Sequence, residues 1–320
     1  MQLKFIGLLC ALLLFANIAG ANTIKIKINA MANPASTKAL VTAYLTKLLE
    51  ERSHGRIQVE MTTHFNPTTQ NVIQELNRDT TQIVIPEIGD LLNEAPQLRL
   101  FELPFLFRDR EHLHQVIDNH VGQTLIMDGL RQKLKILGIW EKDAKHLQAE
   151  SALLEPKSVS KKFYQGRKDQ TSTVFFKTLS ACSPRPQAGS RELKNWEEVT
   201  LSEVAKHKES GHRHITLTQH SFSGCILLID KYFWSSLPDD LKIIVADAVK
   251  DATTYSRELA QQVDQEALEQ LQNQKNIQVS KMSQRHRQLW RNNMLKLYTE
   301  TCNGVEKKLI EQVANYQTIN

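Results

Sequence analysis

The stretch "LFELPFLFRDREHLHQVID", residues 100–118, joins a short apolar run around a proline to a charged segment with helical spacing. A membrane-spanning helix needs about 20 consecutive apolar residues, so this run is far too short to cross a bilayer. The change of pattern predicts a buried extended segment, followed by a helix that begins at Asp109. That helix would bury Leu113, Val116 and Ile117, which recur on one face. A buried connector of this kind needs protein on both sides.

The region before this stretch alternates between strand and helix patterns. Alternating apolar residues predict strands at 23–30 and 56–61, and residues 83–86 form a third, short apolar run. Between the first two, Ser36 is a suitable N-cap for a helix that stops near Gly55. A second helical segment precedes the third run. Strands and helices in this order indicate an α/β fold with a parallel-rich sheet.

The region after the stretch is less regular. Residues 150–213 are rich in Pro, Ser, Lys and His and show little periodicity. Residues 214–233 then predict two strands. From Pro238 to Gln272 an apolar stripe without internal Gly or Pro predicts one long amphipathic helix.

The first 21 residues have the composition of an export signal. Lys4 precedes an apolar stretch over residues 5–15, and "AGA" at residues 19–21 is a small-x-small cleavage site. We therefore expect cleavage after Ala21, and a soluble mature chain because no second run of about 20 apolar residues follows. The formal charge of +5, or +4 without Lys4, is mild and spread along the chain, which argues against a nucleic-acid partner.

Four longer segments together resemble a known family. They are "KLLEERSHGRIQVEM" (residues 47–61), "LPFLFRDREHLHQVID" (103–118) with "VGQ" after it, "LGIWE" (137–141) and "LTQHSFSGCILLIDKYFWSSLPDDLK" (217–242). They lie in order between residues 47 and 242, a span of roughly two thirds of the mature chain. They are similar to the periplasmic substrate-binding proteins of tripartite ATP-independent periplasmic (TRAP) transporters, of the dicarboxylate-binding type.

The resemblance implies a periplasmic-binding-protein-like fold: two α/β lobes with a cleft between them, and a long C-terminal helix spanning both. Residues 22–145 would form mainly lobe I and residues 146–235 mainly lobe II, whose divergent part is 150–213. Residues 236–320 would supply the long helix and further helices packing on both lobes. It also implies a periplasmic protein that captures a small organic anion by hinge closure and delivers it to membrane subunits of a TRAP transporter.

The resemblance also implies a set of ligand-binding positions in the first lobe and at the lobe boundary. Asn29 matches a ligand-contacting asparagine, Glu87 an acidic cleft residue, and Lys145 in "DAKH" the position of a second arginine. A lysine keeps the charge of an arginine but loses its two-pronged geometry.

The principal carboxylate-binding arginine of the family lies in a G-x-K-x-R pattern, which here falls on "YQGRKDQ". Counting from Gly166 and Lys168 places Gln170 at the arginine position, whereas counting from the later "SPRPQ" lands close to Arg167. In a strand, residues 168 and 170 share a face, so Lys168 is the cation expected beside Gln170. Surface positions for Arg167 and Lys168 are the alternative.

Two further departures weaken the second-lobe site. Gly189 replaces a phenylalanine of the family, and Glu198 stands near the place of a ligand-binding asparagine, where a carboxylate would repel an anion in a dry cleft. Either the ligand is of another kind, neutral or cationic, or the chain is a degenerate family member with lost or changed binding.

Metal binding, cofactor binding and catalysis find no support in the sequence. Closed zinc patterns do not fit the spacing of the histidines at 207, 212, 214 and 220. Cys225 and His220 suggest a thiol nucleophile, but "HSFSGC" lacks the leading glycine of a nucleophile elbow. His112 and His114, two apart on the helix after Asp109, are expected at the surface. We therefore predict no enzyme activity, no metal and no cofactor.

Overall fold

A computed structural model of the chain describes most of the predicted mature sequence. The described residues are 23–34, 36–63, 75–76, 79–119, 134–159, 163–164, 176, 195–206, 213–301 and 304–316. The predicted export signal, residues 1–21, lies outside them.

Eight strands form one mixed sheet. They are β1 (Ile24–Asn29), β2 (Ile57–Thr62), β3 (Ile83–Val84), β4 (Leu134–Ala149), β5 (Phe163–Tyr164), β6 (Asn195–Thr200), β7 (Arg213–Asp230) and β8 (Ile277–Lys281). Their spatial order is β2-β1-β3-β7-β4-β6-β5, with β8 also paired to β7. The predicted parallel pairing holds for β1 with β2 and β3, whereas β4 pairs antiparallel with both β6 and β7.

The α-helices lie between and after these strands. They are α1 (Thr37–Arg52), α2 (Arg110–Asp118), α3 (Leu201–Lys206), α4 (Lys231–Ser236), α5 (Asp239–Gln272), α6 (Gln284–Thr301) and α7 (Gly304–Asn315), with 3-10 helices at Ile88–Leu91, Pro96–Glu102 and Pro156–Val159. The start of α1 is as predicted, because the Ser36 hydroxyl accepts a hydrogen bond from the Ala39 N–H at 3.2 Å. Gly55, shortly after the helix, has φ +77°, a conformation that favours glycine.

Two strands and one helix run through the whole length of the fold. β4 and β7 are 16 and 18 residues long and pair with each other from Leu134↔Asp230 to Ala149↔His214. The pairing is interrupted between Glu141 and Ala144, where two residues on β4, Lys142 and Asp143, lie opposite one on β7, so β4 carries one extra residue there. Such a bulge bends the strand and resets which face each later side chain occupies.

The long helix α5 packs its two halves on different apolar clusters. Its N-terminal half, with Val245 and Ala252, belongs to a cluster with β1, α1 and β7. Its C-terminal half, with Ala267 and Leu271, packs on α3 and β7. This arrangement is the predicted one, with the long helix spanning both lobes of an α/β fold.

The stretch at residues 100–107 is buried as predicted but is not extended. It continues the 3-10 helix Pro96–Glu102 and then turns, with Phe105 at φ +58°. A buried N–H must find a partner, and the Phe105 N–H donates to the His220 carbonyl at 2.6 Å. The Phe105 ring stacks on Trp290 of α6 at 5.2 Å between ring centroids. The segment therefore packs between β7 and α6, with protein on both sides of it.

Residues 213–230 form a single strand rather than the two predicted. The strand is irregular at Gln219, which has φ +42°. Four residues of β7, from Leu217 to His220, lie there opposite a single residue of β4, His146. Pairing resumes on both sides of this interruption, so the strand continues.

Candidate functional site

Asn29 ends β1 and organises the turn that follows. Its side-chain oxygen accepts the Met31 N–H at 3.0 Å, and its Nδ2 donates to Glu75 Oε2 at 2.7 Å. Met31 has φ +47°, and its hydrogen bond to the Asn29 side chain helps to hold this unusual backbone conformation. The Asn29 residue is 7% exposed, at the edge formed by the ends of β1 and β3.

Glu87 lies just after β3 between two lysines. Lys142 Nζ is 3.2 and 3.1 Å from its two oxygens, and Lys38 Nζ is 3.0 Å from Oε1. Burial raises the pKa of Glu87, but Lys142 and Lys38 outweigh that effect and hold it below its ordinary value. Burial conversely lowers the pKa of Lys142, yet Glu87 raises it overall. Glu87 and Lys142 are therefore both charged at neutral pH.

This three-residue group, the Glu87 cluster (Lys38, Glu87 and Lys142), places two lysines on one carboxylate, and the Asp90 side chain accepts the Glu87 N–H beside it at 3.0 Å. Lys38 is almost fully buried and also donates to the Ile85 carbonyl at 3.1 Å. The side chains of Lys142 and Glu87 are 31% and 35% exposed, so solvent or a ligand reaches them. Lys142 therefore offers an accessible ammonium donor, and Glu87 an accessible carboxylate acceptor, to a ligand at this edge of the sheet.

Lys145 lies beyond the bulge of β4 and has a different set of partners. Its Nζ is 3.9 Å from Glu198 Oε2, and Glu198 Oε1 is 2.7 Å from His220 Nε2. His220 Nδ1 in turn lies 2.7 Å from the Thr218 hydroxyl. Burial lowers the pKa of His220 in spite of Glu198, so the ring is neutral, with Nε2–H donating to the carboxylate.

Glu198 thus has a different environment from the one expected. Its side chain is only 3% exposed and is partnered by both His220 and Lys145. A carboxylate that is already paired with a cation repels an incoming anion less than the unpaired charge that the sequence suggested.

His112 and His114, which the sequence predicts at the surface, are largely shielded from solvent. His112 is 1% exposed, and its Nδ1 accepts the Arg108 N–H at 3.1 Å. His114 Nε2 lies 2.5 Å from Glu141 Oε2. The sequence pattern predicts burial only for apolar residues. Both histidine rings are nevertheless shielded from solvent, because each finds a hydrogen-bond partner inside the protein.

Lys38 and Lys142 are the residues of this region that sequence reasoning missed. Lys142 stands only three positions before Lys145 in "WEKDAKH", and simple strand alternation places residues 142 and 145 on opposite faces. The extra residue of β4 between Glu141 and Ala144 breaks that alternation. The signal for Lys38, a lysine within the first turn after a good N-cap, is indistinguishable from a solvated helix residue.

Three of the predicted second-lobe residues, Arg167, Lys168 and Gln170, lie outside the described residues. Cys225 is buried, and burial followed by Glu87 raises the pKa of its thiol to about 12, which does not suit a nucleophile. Across the described ranges there is no group of three His, Cys, Asp or Glu side chains able to hold a metal ion. In the same part of the chain no helix has both the length and the apolar character of a membrane span.

Comparison with known proteins places these features in a family. The model of bacterial extracellular solute-binding protein family 7 matches residues 28–161 and 197–304. The C4-dicarboxylate-binding periplasmic protein of Rhodobacter capsulatus is 22% identical over 92% of this chain and 91% of that protein.

Two solved structures share the fold over nearly the whole chain. A TRAP periplasmic solute-binding protein from Ochrobactrum anthropi, with its own C-terminus in the ligand pocket, has a TM-score of 0.76 at 18% identity, covering 92% of this chain and 94% of that one. One from Sulfurospirillum deleyianum with bound succinate has a TM-score of 0.67 at 22% identity, covering 92% and 99%. The chain belongs to bacterial extracellular solute-binding protein family 7, the periplasmic solute-binding proteins of TRAP transporters.

Proposed function

We propose that this protein captures a small organic acid in the periplasm and delivers it to the membrane subunits of a TRAP transporter. The observation that supports this most directly is the pair of lysine ammonium groups in the Glu87 cluster, of which the Lys142 side chain is 31% exposed. Ammonium groups bind carboxylates through charge-assisted hydrogen bonds, which are shorter and stronger than neutral ones. The Rhodobacter capsulatus relative is named for C4-dicarboxylate binding and the Sulfurospirillum deleyianum structure holds succinate, and both ligands belong to this chemical class.

The ligand would be gripped from both lobes. Asn29, Glu87 and Lys142 would line the lobe I wall, and Lys145 the wall beyond the bulge of β4. Arg167, Lys168 and Gln170 are the positions that we propose for the remaining contacts of lobe II. Glu87 would accept a hydrogen bond from a ligand hydroxyl, and the lysines would donate hydrogen bonds to the carboxylate of the ligand.

Binding would proceed by closure of the two lobes without covalent chemistry, and we propose no enzyme activity. Residues 22–145 would move against residues 146–235, with the helices of residues 236–320 packed on both. We place the hinge at the bulge between Glu141 and Ala144, because the extra residue of β4 there allows the angle between the two parts of the strand to change. Export would precede this function, with the signal removed after Ala21.

The competing interpretation of a degenerate family member finds no support among the comparisons, and Glu198 is paired rather than free. It predicts that no ligand stabilises the protein. A ligand at a hundred times its Kd stabilises the folded state by about 2.7 kcal/mol, so thermal unfolding separates the two interpretations.

The test is isothermal titration of the mature protein with succinate, malate, keto acids and sugar acids, followed by the Lys142→Met variant with the ligand found. We expect an organic acid to bind and K142M to weaken it at least tenfold, because about 1.5–3 kcal/mol is typical of a hydrogen bond to a charged group. Lys27→Met is the matched control, since Lys27 pairs with Glu60 at 3.2 Å on the surface of the same lobe. No binding by any acid in this panel would overturn the proposal.

A further inference from the structure

The bulge in β4 places two residues, Lys142 and Asp143, opposite a single residue of β7. One of the two is the lysine whose ammonium group lies 3.1 and 3.2 Å from the oxygens of Glu87 in the proposed organic-acid site. A bulge interrupts the hydrogen-bond ladder and bends its strand, so pairing with β7 alone does not fix the position of Lys142. Contacts from outside the sheet have to fix it.

Asp264 of α5 contacts the strand on both sides of this bulge. After the bulge, the Ala144 N–H hydrogen-bonds the Asp264 carboxylate. Before the bulge the contact runs through Arg110. Its Nη2 donates to Asp264 Oδ2 at 2.7 Å, and its Nε is 2.7 Å from Glu141 Oε1. One carboxylate therefore brackets the two bulge residues, directly at Ala144 and through Arg110 at Glu141.

This arrangement, the Asp264 bracket (Asp264, Arg110, Glu141 and the Ala144 N–H), is shielded from solvent. The side chains of Asp264, Arg110 and Glu141 are 10%, 13% and 3% exposed. Buried charge pairs are screened much less than exposed ones. The guanidinium also has a fixed, planar set of donors, so its contacts set the angle between elements as well as their distance. The bracket can therefore hold the bent strand in one geometry.

Stability alone is a poor reason for a carboxylate at this position. Asp264 interrupts the apolar stripe of α5 between Ala260 and Ala267, which are both buried. Burial raises the pKa of Asp264 to about 6 in spite of Arg110, so its ionised form at neutral pH costs free energy. Apolar side chains of similar volume often replace a buried ion pair without loss of stability. A role in fixing the geometry of the bulge accounts for the charge.

We propose that Asp264 is a positioning residue for organic-acid binding, because its bracket across the bulge of β4 holds the Lys142 ammonium group at the ligand site. Asp264 acts through the backbone of residues 141–144 and not by contact with the ligand. The inference rests on the proposed function, since it concerns the binding of an organic acid by Lys142. It gives α5 a role in ligand binding beyond its packing on two apolar clusters.

The experiment is a double-mutant cycle on the affinity for the acid that the wild type binds, measured by isothermal titration. Asp264→Asn leaves one carbonyl oxygen in place of two carboxylate oxygens and removes the charge, so it releases at least one side of the bracket. We expect D264N to weaken binding about tenfold in the wild type and less than about twofold in K142M. A residue that acts through Lys142 loses its effect once the ammonium group is absent.

Ser256→Ala is the matched control for this cycle. It also removes a buried polar group from α5, but the Ser256 hydroxyl donates only to the Thr253 carbonyl of the same helix, at 2.8 Å. S256A should leave the affinity for the acid unchanged.

A second measurement needs no ligand and separates this inference from the proposed function. The lysines are labelled by reductive ¹³C-methylation, and the Lys142 signal is the one absent from K142M. Glu87 raises the pKa of Lys142 in the wild type. In D264N we expect the pKa of Lys142 to fall towards its ordinary value, while the Lys27 signal stays unchanged. Failure of every acid to bind the wild type would overturn the proposed function, whereas an unchanged Lys142 signal in D264N would overturn this inference alone.

A further variant keeps the test decisive if D264N does not fold. Arg110→Lys keeps the positive charge but loses the planar fork that faces two carboxylates, so it should weaken binding and shift the Lys142 signal in the same way. Circular dichroism confirms that each variant is folded. Wild-type affinity in the folded variant, or an equal loss of affinity in the wild-type and K142M backgrounds, would overturn the inference.

Discussion

At the scale of the residue, Lys145 combines a firm position with spare hydrogen-bonding capacity. Its side chain is 16% exposed, and its ionic partner Glu198 is 3.9 Å away, longer than a strong charged hydrogen bond. An ammonium group has three donors, so a ligand carboxylate could be bound without loss of the Glu198 interaction. Glu198 is itself held by His220, which keeps the pair in place when no ligand is bound.

Replacement of Lys145 by Ala should weaken organic-acid binding by about 1.5–3 kcal/mol, the range for a hydrogen bond to a charged group. Isothermal titration with the acid found for the wild type measures this change. Lys27→Ala, a surface lysine paired with Glu60, should leave the affinity unchanged. If K145A binds as tightly as the wild type, Lys145 does not belong to the site.

Some of the candidate site was predictable from single residues and some was not. Asn29 ends a strand that the alternation of apolar residues predicts, and Glu87 follows the short apolar run at residues 83–86. The structure places both at the ends of the neighbouring strands β1 and β3. Lys142 was missed because its contact with Glu87 depends on a backbone irregularity. A one-residue bulge leaves no mark in composition or spacing, so the face of a side chain beyond it is not readable from the sequence.

At the scale of the element, the sequence predicts the start of helix α2 at Asp109, and the structure confirms Asp109 as its N-cap. Asp109 Oδ1 accepts the His112 N–H at 2.8 Å, as expected of an N-cap carboxylate. The helix brings Arg110 to Glu141 and Asp264, so its start also orients an ion-pair network that joins α2, β4 and α5.

Replacement of Asp109 by Ala should lower the free energy of unfolding by about 1 kcal/mol, the usual cost of losing an N-cap. Urea unfolding followed by circular dichroism measures the change. Asp109→Ser keeps an oxygen able to accept the same hydrogen bond, so D109S should recover most of the stability. Equal loss in both variants would show that the charge of Asp109, and not its capping hydrogen bond, stabilises the helix start.

Elements without local signals were predicted poorly. The second half of β4 buries polar side chains, His146 and Gln148 among them, so the apolar alternation that identifies a strand is lost there. Residues 100–107 are apolar without alternation, and burial alone does not distinguish an extended segment from a 3-10 turn. The backbone partner supplied by His220 decides the conformation, and that contact spans more than a hundred residues.

At the scale of the whole molecule, buried neutral histidines set the response to acid. Burial lowers the pKa of His146 from 6.5 to about 3, and burial with Arg108 lowers that of His112 to about 4. The unfolded chain binds protons at these rings below about pH 6.5, whereas the folded protein excludes them. Stability is therefore full above pH 6.5 and falls as the pH drops.

Two carboxyl groups of the described residues oppose this trend, because burial raises the pKa of both Asp90 and Asp264. Burial raises the pKa of Asp264 from 3.8 to about 6, so the folded state binds its proton more tightly than the unfolded chain does. Its contribution rises as the pH falls from about 6 to about 4. Three buried histidines with lowered pKa values (His112, His146 and His220) outnumber these two carboxyl groups, and we expect net destabilisation between pH 6.5 and pH 4.

His146→Gln should make the stability of the protein less sensitive to pH. The glutamine carbonyl can still accept the Gln219 N–H, but it does not bind a proton in the unfolded chain. Urea unfolding at pH 7.5, 6 and 5 measures the slope. His54→Asn, at an exposed position with φ +51° that asparagine tolerates, should keep the wild-type slope. An unchanged slope in H146Q would contradict the assignment of His146 as a buried neutral ring.

The paired β4 and β7, together with α5, have one more consequence. Within the described residues, β4 and β7 pair over most of their length and α5 packs on two separate apolar clusters, so three stretches of backbone tie the same parts of the fold together. Hydrolysis of a single peptide bond in one of them leaves the other two intact. A protease would therefore produce a nicked molecule that runs as fragments in a denaturing gel yet elutes as a single species under native conditions.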